Sequence, residues 1–173
     1  MPETLNNTLK KLGACADARA WAATQPTRKA AWENCKRSEW MLWAIARSTI
    51  SPDDQRLRLM ACDFAEAVLH LIPAGETRPA EAVRIARLFA LGEATREELA
   101  TAWAAAWAAA GAAGDAAGDA AWAAWAAGTA WDAARDAAWA AGTAGDAARA
   151  AQASIIRKYY PNPPRLKAGH NVH

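Results

Sequence analysis

The sequence predicts an all-α protein, a compact bundle of about six to eight helices ending in a long C-terminal helix rich in alanine and tryptophan. Three observations predict it. More than half of residues 101–151 is alanine, the best helix former because it loses no side-chain entropy. Elsewhere apolar residues recur at helical spacing, and the alternation of a half-buried strand is absent. Helix start and stop signals divide the chain into segments of helix length.

In residues 4–23, Leu5, Leu9, Leu12, Ala16 and Trp21 keep helical spacing, with Gly13 as a break. Gln25-Pro26-Thr27 makes a turn, and Thr27 caps a short helix reaching Cys35. Glu39–Ala46 is apolar nearly all round, so its helix is central. Ser51-Pro52-Asp53-Asp54 combines a serine cap, a proline in the first turn and two acids at the positive end of the dipole. The helix it starts is predicted to reach about Ile72, with Leu59, Cys62, Ala65 or Glu66, and Leu69 inward. Pro79 opens the next helix, with Val83, Ala86 and Ala90 on one face and Gly92 as the stop. Thr95-Arg96-Glu97-Glu98 is a capping box.

The alanine-rich stretch divides into two predicted helices, about 96–110 and about 116–159, joined near Gly111–Gly114. The second repeats itself: Trp125 to Arg135 recurs as Trp139 to Arg149, a period of 14 residues. Fourteen residues are about four turns, so each residue returns near its own face. Trp122, Trp125 and Trp139 then share an arc with Asp132 and Asp136, opposite an arc of alanines that runs on to Ile155. Tryptophan beside carboxylates is too apolar to be left wholly in water, which makes this arc the expected homo-oligomer or partner surface.

One domain over residues 1–160 is expected, followed by a loose basic tail over 161–173. Net charge is +2, with a net −3 over residues 99–152 and a net +4 over 153–173. Such a balance excludes a strongly acidic DNA mimic, and it lacks the basic stripe that duplex nucleic acid requires. Three cysteines, Cys15, Cys35 and Cys62, show no CxxC spacing and read as reduced thiols of a cytoplasmic protein. The longest uncharged run, Leu99–Gly114, has 16 residues, too short and too weakly apolar to span a bilayer. The start, MPETLNNTLKK, lacks the apolar core of a signal peptide.

No catalytic, metal or cofactor signature stands out. His70 has no histidine or cysteine at i+3 or i+4, the spacing a zinc or di-iron helix needs. Cys62 and His70 are eight residues apart, about 80° away from each other around a helix, which suits a buried thiol better than a Cys–His pair. A non-enzymatic protein is therefore expected. The less ordinary group is Asp63 and Glu66 on one helix with Arg78, Arg84 and Arg87 on or before the next. It reads either as an interhelical salt-bridge network or as an anion site, with arginine forks on phosphate or carboxylate and Trp103 and Trp107 alongside.

The segments AWENCKRSEWMLW, RLMACDFAEAVL and ETRPAEAVRIARLFALGEAT, with the alanine tract closing on IIRKYYP, carry a resemblance. Over about residues 10–161 the chain resembles a group of all-α proteins found in bacteria and their phages. Over about 55–150 it is similar to immunity proteins of the fifth type, through Cys62-Asp63 with Glu66, then Arg78-Pro79 with Arg87 and Gly92. The histidine-containing segment that such immunity proteins carry in the alanine tract is absent here. The resemblance implies a role in phage–host or toxin conflict. Two functional expectations result: a binding protein that sequesters a small anionic, nucleotide-type signalling ligand, or an immunity protein that blocks a toxin or defence enzyme by protein contact. Inhibitors of nucleases match a basic active site with acidic charge, which this chain lacks, so the balance of charge favours the first.

Overall fold

The computed structural model describes residues 5–51, 55–72, 74–113 and 145–167. They form an all-α bundle of eight α-helices: α1 Leu5–Lys11, α2 Ala16–Ala23, α3 Arg28–Asn34, α4 Ser38–Ala46, α5 Gln55–Glu66, α6 Arg78–Leu91, α7 Arg96–Ala113 and α8 Asp146–Tyr159. A 3-10 turn, Leu69–Leu71, follows α5. None of these helices is long and apolar enough to cross a membrane.

The predicted punctuation is visible in the backbone. Gly13 turns the chain between α1 and α2 at φ 80°, in the left-handed region that glycine enters without a Cβ penalty. Thr27 caps α3, its hydroxyl accepting from the Ala30 N–H at 3.0 Å. Thr95 and Glu98 form the reciprocal capping box: the Glu98 carboxylate accepts from the Thr95 N–H at 2.7 Å, and the Thr95 hydroxyl accepts from the Glu98 N–H at 3.2 Å. Gly92 ends α6 at φ 81°, with its N–H on the Leu88 and Phe89 carbonyls.

Helix α5 is the partition of the bundle. Leu57, Met60 and Phe64 point into a first core with Trp32 and Cys35 of the α3 end, Met41, Leu42 and Ile45 of α4, and Ala153, Ile156 and Tyr160 at α8. Cys62 and Ala65 point into a second core with Ala82, Val83 and Ala86 of α6 and Leu99 and Ala106 of α7. Helix α8 closes the first core by packing on α4 and α5, while α6 lies between α5 and α7. Polar bonds tie α8 to α3: the Trp32 indole N–H donates to the Tyr160 carbonyl at 2.8 Å, and Arg157 donates to the Cys35 carbonyl at 2.8 Å just past the end of α3. Those bonds serve carbonyls that helix geometry leaves without partners.

Four expectations need correction. Helix α5 stops at Glu66 rather than near Ile72, because the Val68 N–H bonds back to the Ala65 carbonyl. This i−3 spacing tightens the last turn, and Leu69 then packs on the second core. Helix α7 runs through Gly111 to Ala113, three residues past its expected end, and Gly114 lies outside the described residues. A continuous helix over 116–159 is interrupted, since Gly145 sits at φ 88° and ψ −179°, outside helical space, and α8 starts after it. In the 14-residue repeat Gly145 stands where the first copy has Trp131, and glycine is what permits that conformation. Finally, residues 161–167 are docked rather than loose. The Thr49 N–H donates to the Arg165 carbonyl at 2.9 Å and the Lys167 N–H to the Arg47 carbonyl at 2.8 Å, making an isolated antiparallel bridge between Ser48 and Leu166.

Candidate functional site

The expected cluster of three arginines is not assembled. Arg78 pairs with Glu76 through a two-pronged contact, its Nε donating at 2.8 Å. Arg84 pairs with Glu81 one helical turn away, at 2.8 and 2.7 Å. Only Arg87 reaches across to α5, at 2.9 Å from Asp63 and 2.6 Å from Glu66. The reason is local: Glu76 and Glu81 lie within three residues of their arginines, and a carboxylate that close neutralises a guanidinium before a distant one can. The Arg78 hydrogen bonds hold the Glu76 carboxyl down at about 2.

What assembles instead is a clip centred on Asp63. Its second oxygen accepts from Lys158 at 2.7 Å and from the Tyr159 hydroxyl at 2.9 Å, so Asp63 joins α5 to α6 and to α8. Burial alone would push this carboxyl up. The hydrogen bonds from Lys158, Arg87 and Tyr159 together outweigh it and hold the carboxyl below its ordinary range. Sequence reasoning found Arg87 but not Lys158 and Tyr159, which lie 95 and 96 residues away from Asp63. Here two acids face two cations, so no charge is left over for an anion.

Of the aromatic residues expected beside the arginines, Trp103 leans on the second core, and Trp107 leaves 52 % of its surface exposed. Their rings lie against each other at 6.2 Å between centroids. Trp122, Trp125, Trp139, Asp132 and Asp136, the expected oligomer or partner surface, lie outside the described residues.

A different site emerges at the other end of the bundle. Helices α1 to α4 and the docked segment 163–166 enclose a pocket of about 110 Å³. Trp21, Trp32, Trp40 and Trp43 wall it together with Leu5, Leu9, Met41 and the Pro163-Pro164 pair. Trp21 and Trp40 meet at 5.7 Å between centroids with a 48° tilt, within the range that aromatic pairs prefer. Arg37, which also pairs with Glu39, sits 4.8 Å over the Trp40 ring.

The charge at the pocket is one-sided. Arg28 is among the lining residues, Arg165 lies between the lining residues Pro164 and Leu166, and no aspartate or glutamate lines the pocket. Neither guanidinium has a carboxylate partner among the described residues. Burial, and then the like charge of Arg165, lower the Arg28 pKa. Sequence reasoning set Trp21 on a helix face and Trp40 and Trp43 in the all-round apolar run Glu39–Ala46, and it gave Trp32 no role. The available signal was their density: four of the ten fall between positions 21 and 43. Missing was any sign that residues 163–166 fold back over them.

The two buried thiols, Cys35 and Cys62, are not poised for chemistry. Burial pushes Cys62 up to about 12 and raises Cys35, whose sulfur donates to the Arg37 carbonyl at 3.4 Å. A nucleophilic thiolate needs the opposite shift. Among the described residues no three His, Cys, Asp or Glu side chains converge as metal ligands would. Compared with known proteins, the chain matches no protein-family model, no curated protein and no solved structure.

Proposed function

We propose that this chain is a non-enzymatic binding protein that sequesters a small organic anion, held in the tryptophan-walled pocket between α1–α4 and residues 163–166. The nucleotide-type signal suggested by the sequence is one member of that class. The observation that carries the reading is the pairing of an apolar aromatic pocket with Arg28 in its lining and Arg165 next to it in sequence and charge, neither with a carboxylate partner among the described residues. Two like charges held near each other repel, and an anion between them relieves that repulsion. The Asp63–Arg87 clip, in contrast, is already neutral and serves the fold.

Calorimetric titration of the full chain against a panel of small organic anions tests the proposal. At least one anion is expected to bind more tightly than about 1 mM, a free energy of about 4 kcal/mol, and to raise the melting temperature by mass action. The double variant Arg28→Ala/Arg165→Ala should keep or slightly raise the melting temperature and lose the binding. A clear loss of stability, with no binding by the wild type, would make the arginine pair structural and overturn the proposal.

A second reading, an immunity or inhibitor protein that blocks a toxin or defence enzyme by contact, draws on Trp107. A half-exposed tryptophan on α7 is the kind of aromatic anchor that interfaces use. It predicts that no small anion shifts the melting temperature and that Trp107→Ala leaves the fold intact.

A further inference from the structure

The composition of the pocket wall says more than that the ligand is an anion. Apart from Arg28, the polar side-chain atoms among the lining residues are two thiols and indole N–H groups; no Ser, Thr, Asn, Gln, His, Asp or Glu contributes. The Trp32 indole N–H is already committed to the Tyr160 carbonyl. A nucleobase brings several donors and acceptors on its edges, and burying them against such a wall leaves them unpaired, which works against binding. Size points the same way. At about 110 Å³ the pocket is smaller than the roughly 150 Å³ apolar cavity known to take a benzene ring, so it buries one ring at most, with the remainder of a ligand at its mouth.

Resting on the anion-binding reading, we infer that the pocket takes a single-ring carbocyclic aromatic acid: the ring lodges among Trp21, Trp40 and their neighbours, and the acid group lies toward Arg28 and Arg165. Trp21 and Trp40 already stand in a tilted arrangement, and a third ring extends it by the same edge-and-face attraction. The planar guanidinium fork matches a carboxylate with two parallel hydrogen bonds. Both arginines lie at the surface, so the acid end of the ligand stays near water while its ring is buried.

The test is a set of calorimetric titrations of the full chain with phenylacetate, its uncharged amide phenylacetamide, acetate and adenosine monophosphate. Phenylacetate is expected to bind, and acetate and phenylacetamide to bind at least about tenfold more weakly, each lacking one half of the recognised group. Arg28→Ala/Arg165→Ala should weaken phenylacetate about tenfold or more and leave phenylacetamide unchanged, with the melting temperature kept or slightly raised. Phenylacetamide binding as well as phenylacetate would overturn the inference by removing the acid from recognition. Adenosine monophosphate binding more tightly than phenylacetate, through Arg28, would overturn the inference and leave the anion-binding reading standing. Failure of all four probes and of the wider anion panel would overturn both.

Discussion

The two cores on either side of α5 are built from different materials. The first is filled by large side chains: Met41, Ile45, Leu57, Met60 and Ile156 are all at most 2 % exposed. The second is lean, with Ala82, Ala86 and Ala106 at 0 % exposure where α6 meets α5 and α7. A large-residue core draws its stability from the apolar area it removes from water. A small-residue core draws it from close approach of helix axes, which small side chains allow. The same helix serves both: i, i+3 and i+7 positions Leu57, Met60 and Phe64 face one way, and Cys62 and Ala65 the other. The cores should therefore fail in opposite ways, the first when side chains shrink and the second when they grow.

The largest expected effect is at Phe64. Phe64→Ala removes a ring that is 3 % exposed from the first core and should cost about 3–5 kcal/mol in urea unfolding. A loss under about 1 kcal/mol would mean that this core collapses around the gap and is not tightly packed.

Next in size is the opposite change in the lean core. Ala82→Leu and Ala86→Leu should each cost about 1–3 kcal/mol by overpacking, since both sites are fully buried between helices. Thermal unfolding that is unchanged or improved in both variants would show slack between α6 and its neighbours, and the contrast between the two cores would disappear.

Local signals and the lean side of this contrast were legible before the structure, whereas the α5 face of Leu57, Met60 and Phe64 was not: the expected inward stripe began at Leu59. Punctuation signals depend on a few adjacent residues, so Gly13, Thr27, Gly92 and the Thr95–Glu98 box read correctly. The inward positions of α6, Val83, Ala86 and Ala90, follow from periodicity alone. What did not read was everything that depends on distant segments meeting. Lys158 and Tyr159 reach Asp63 only because α8 packs on α5, and Pro163 to Leu166 wall the tryptophan pocket only because the chain returns to Ser48. Arg78 and Arg84 were grouped with Asp63 and Glu66, and pair elsewhere for the converse reason. Long side chains choose the nearest carboxylate, and Glu76 and Glu81 were nearer than the helix across the groove.

The smallest expected effect concerns the bond that crosses between the two cores. Asp63 holds Arg87 of α6 on one oxygen and Lys158 and Tyr159 of α8 on the other. Its side chain is 11 % exposed, but Lys158 is 66 % exposed, so water screens part of the attraction. Asp63→Asn keeps the shape and removes the charge, and should cost about 1–2 kcal/mol at pH 7. The pH dependence gives the sign. A carboxyl whose folded pKa is depressed contributes stability that is fully present above the unfolded value of about 3.9 and is lost as pH falls through the lower folded value. The gap between wild type and Asp63→Asn should thus be constant from pH 7 to about pH 5 and close as the solution is acidified below about pH 4. Urea midpoints measured for both proteins across that range check it. The other carboxyls titrate in both proteins and largely cancel in the difference. A gap that persists unchanged to about pH 2 would mean that the substitution acts through shape rather than charge. The helices on the two sides of α5 would then be joined by packing alone.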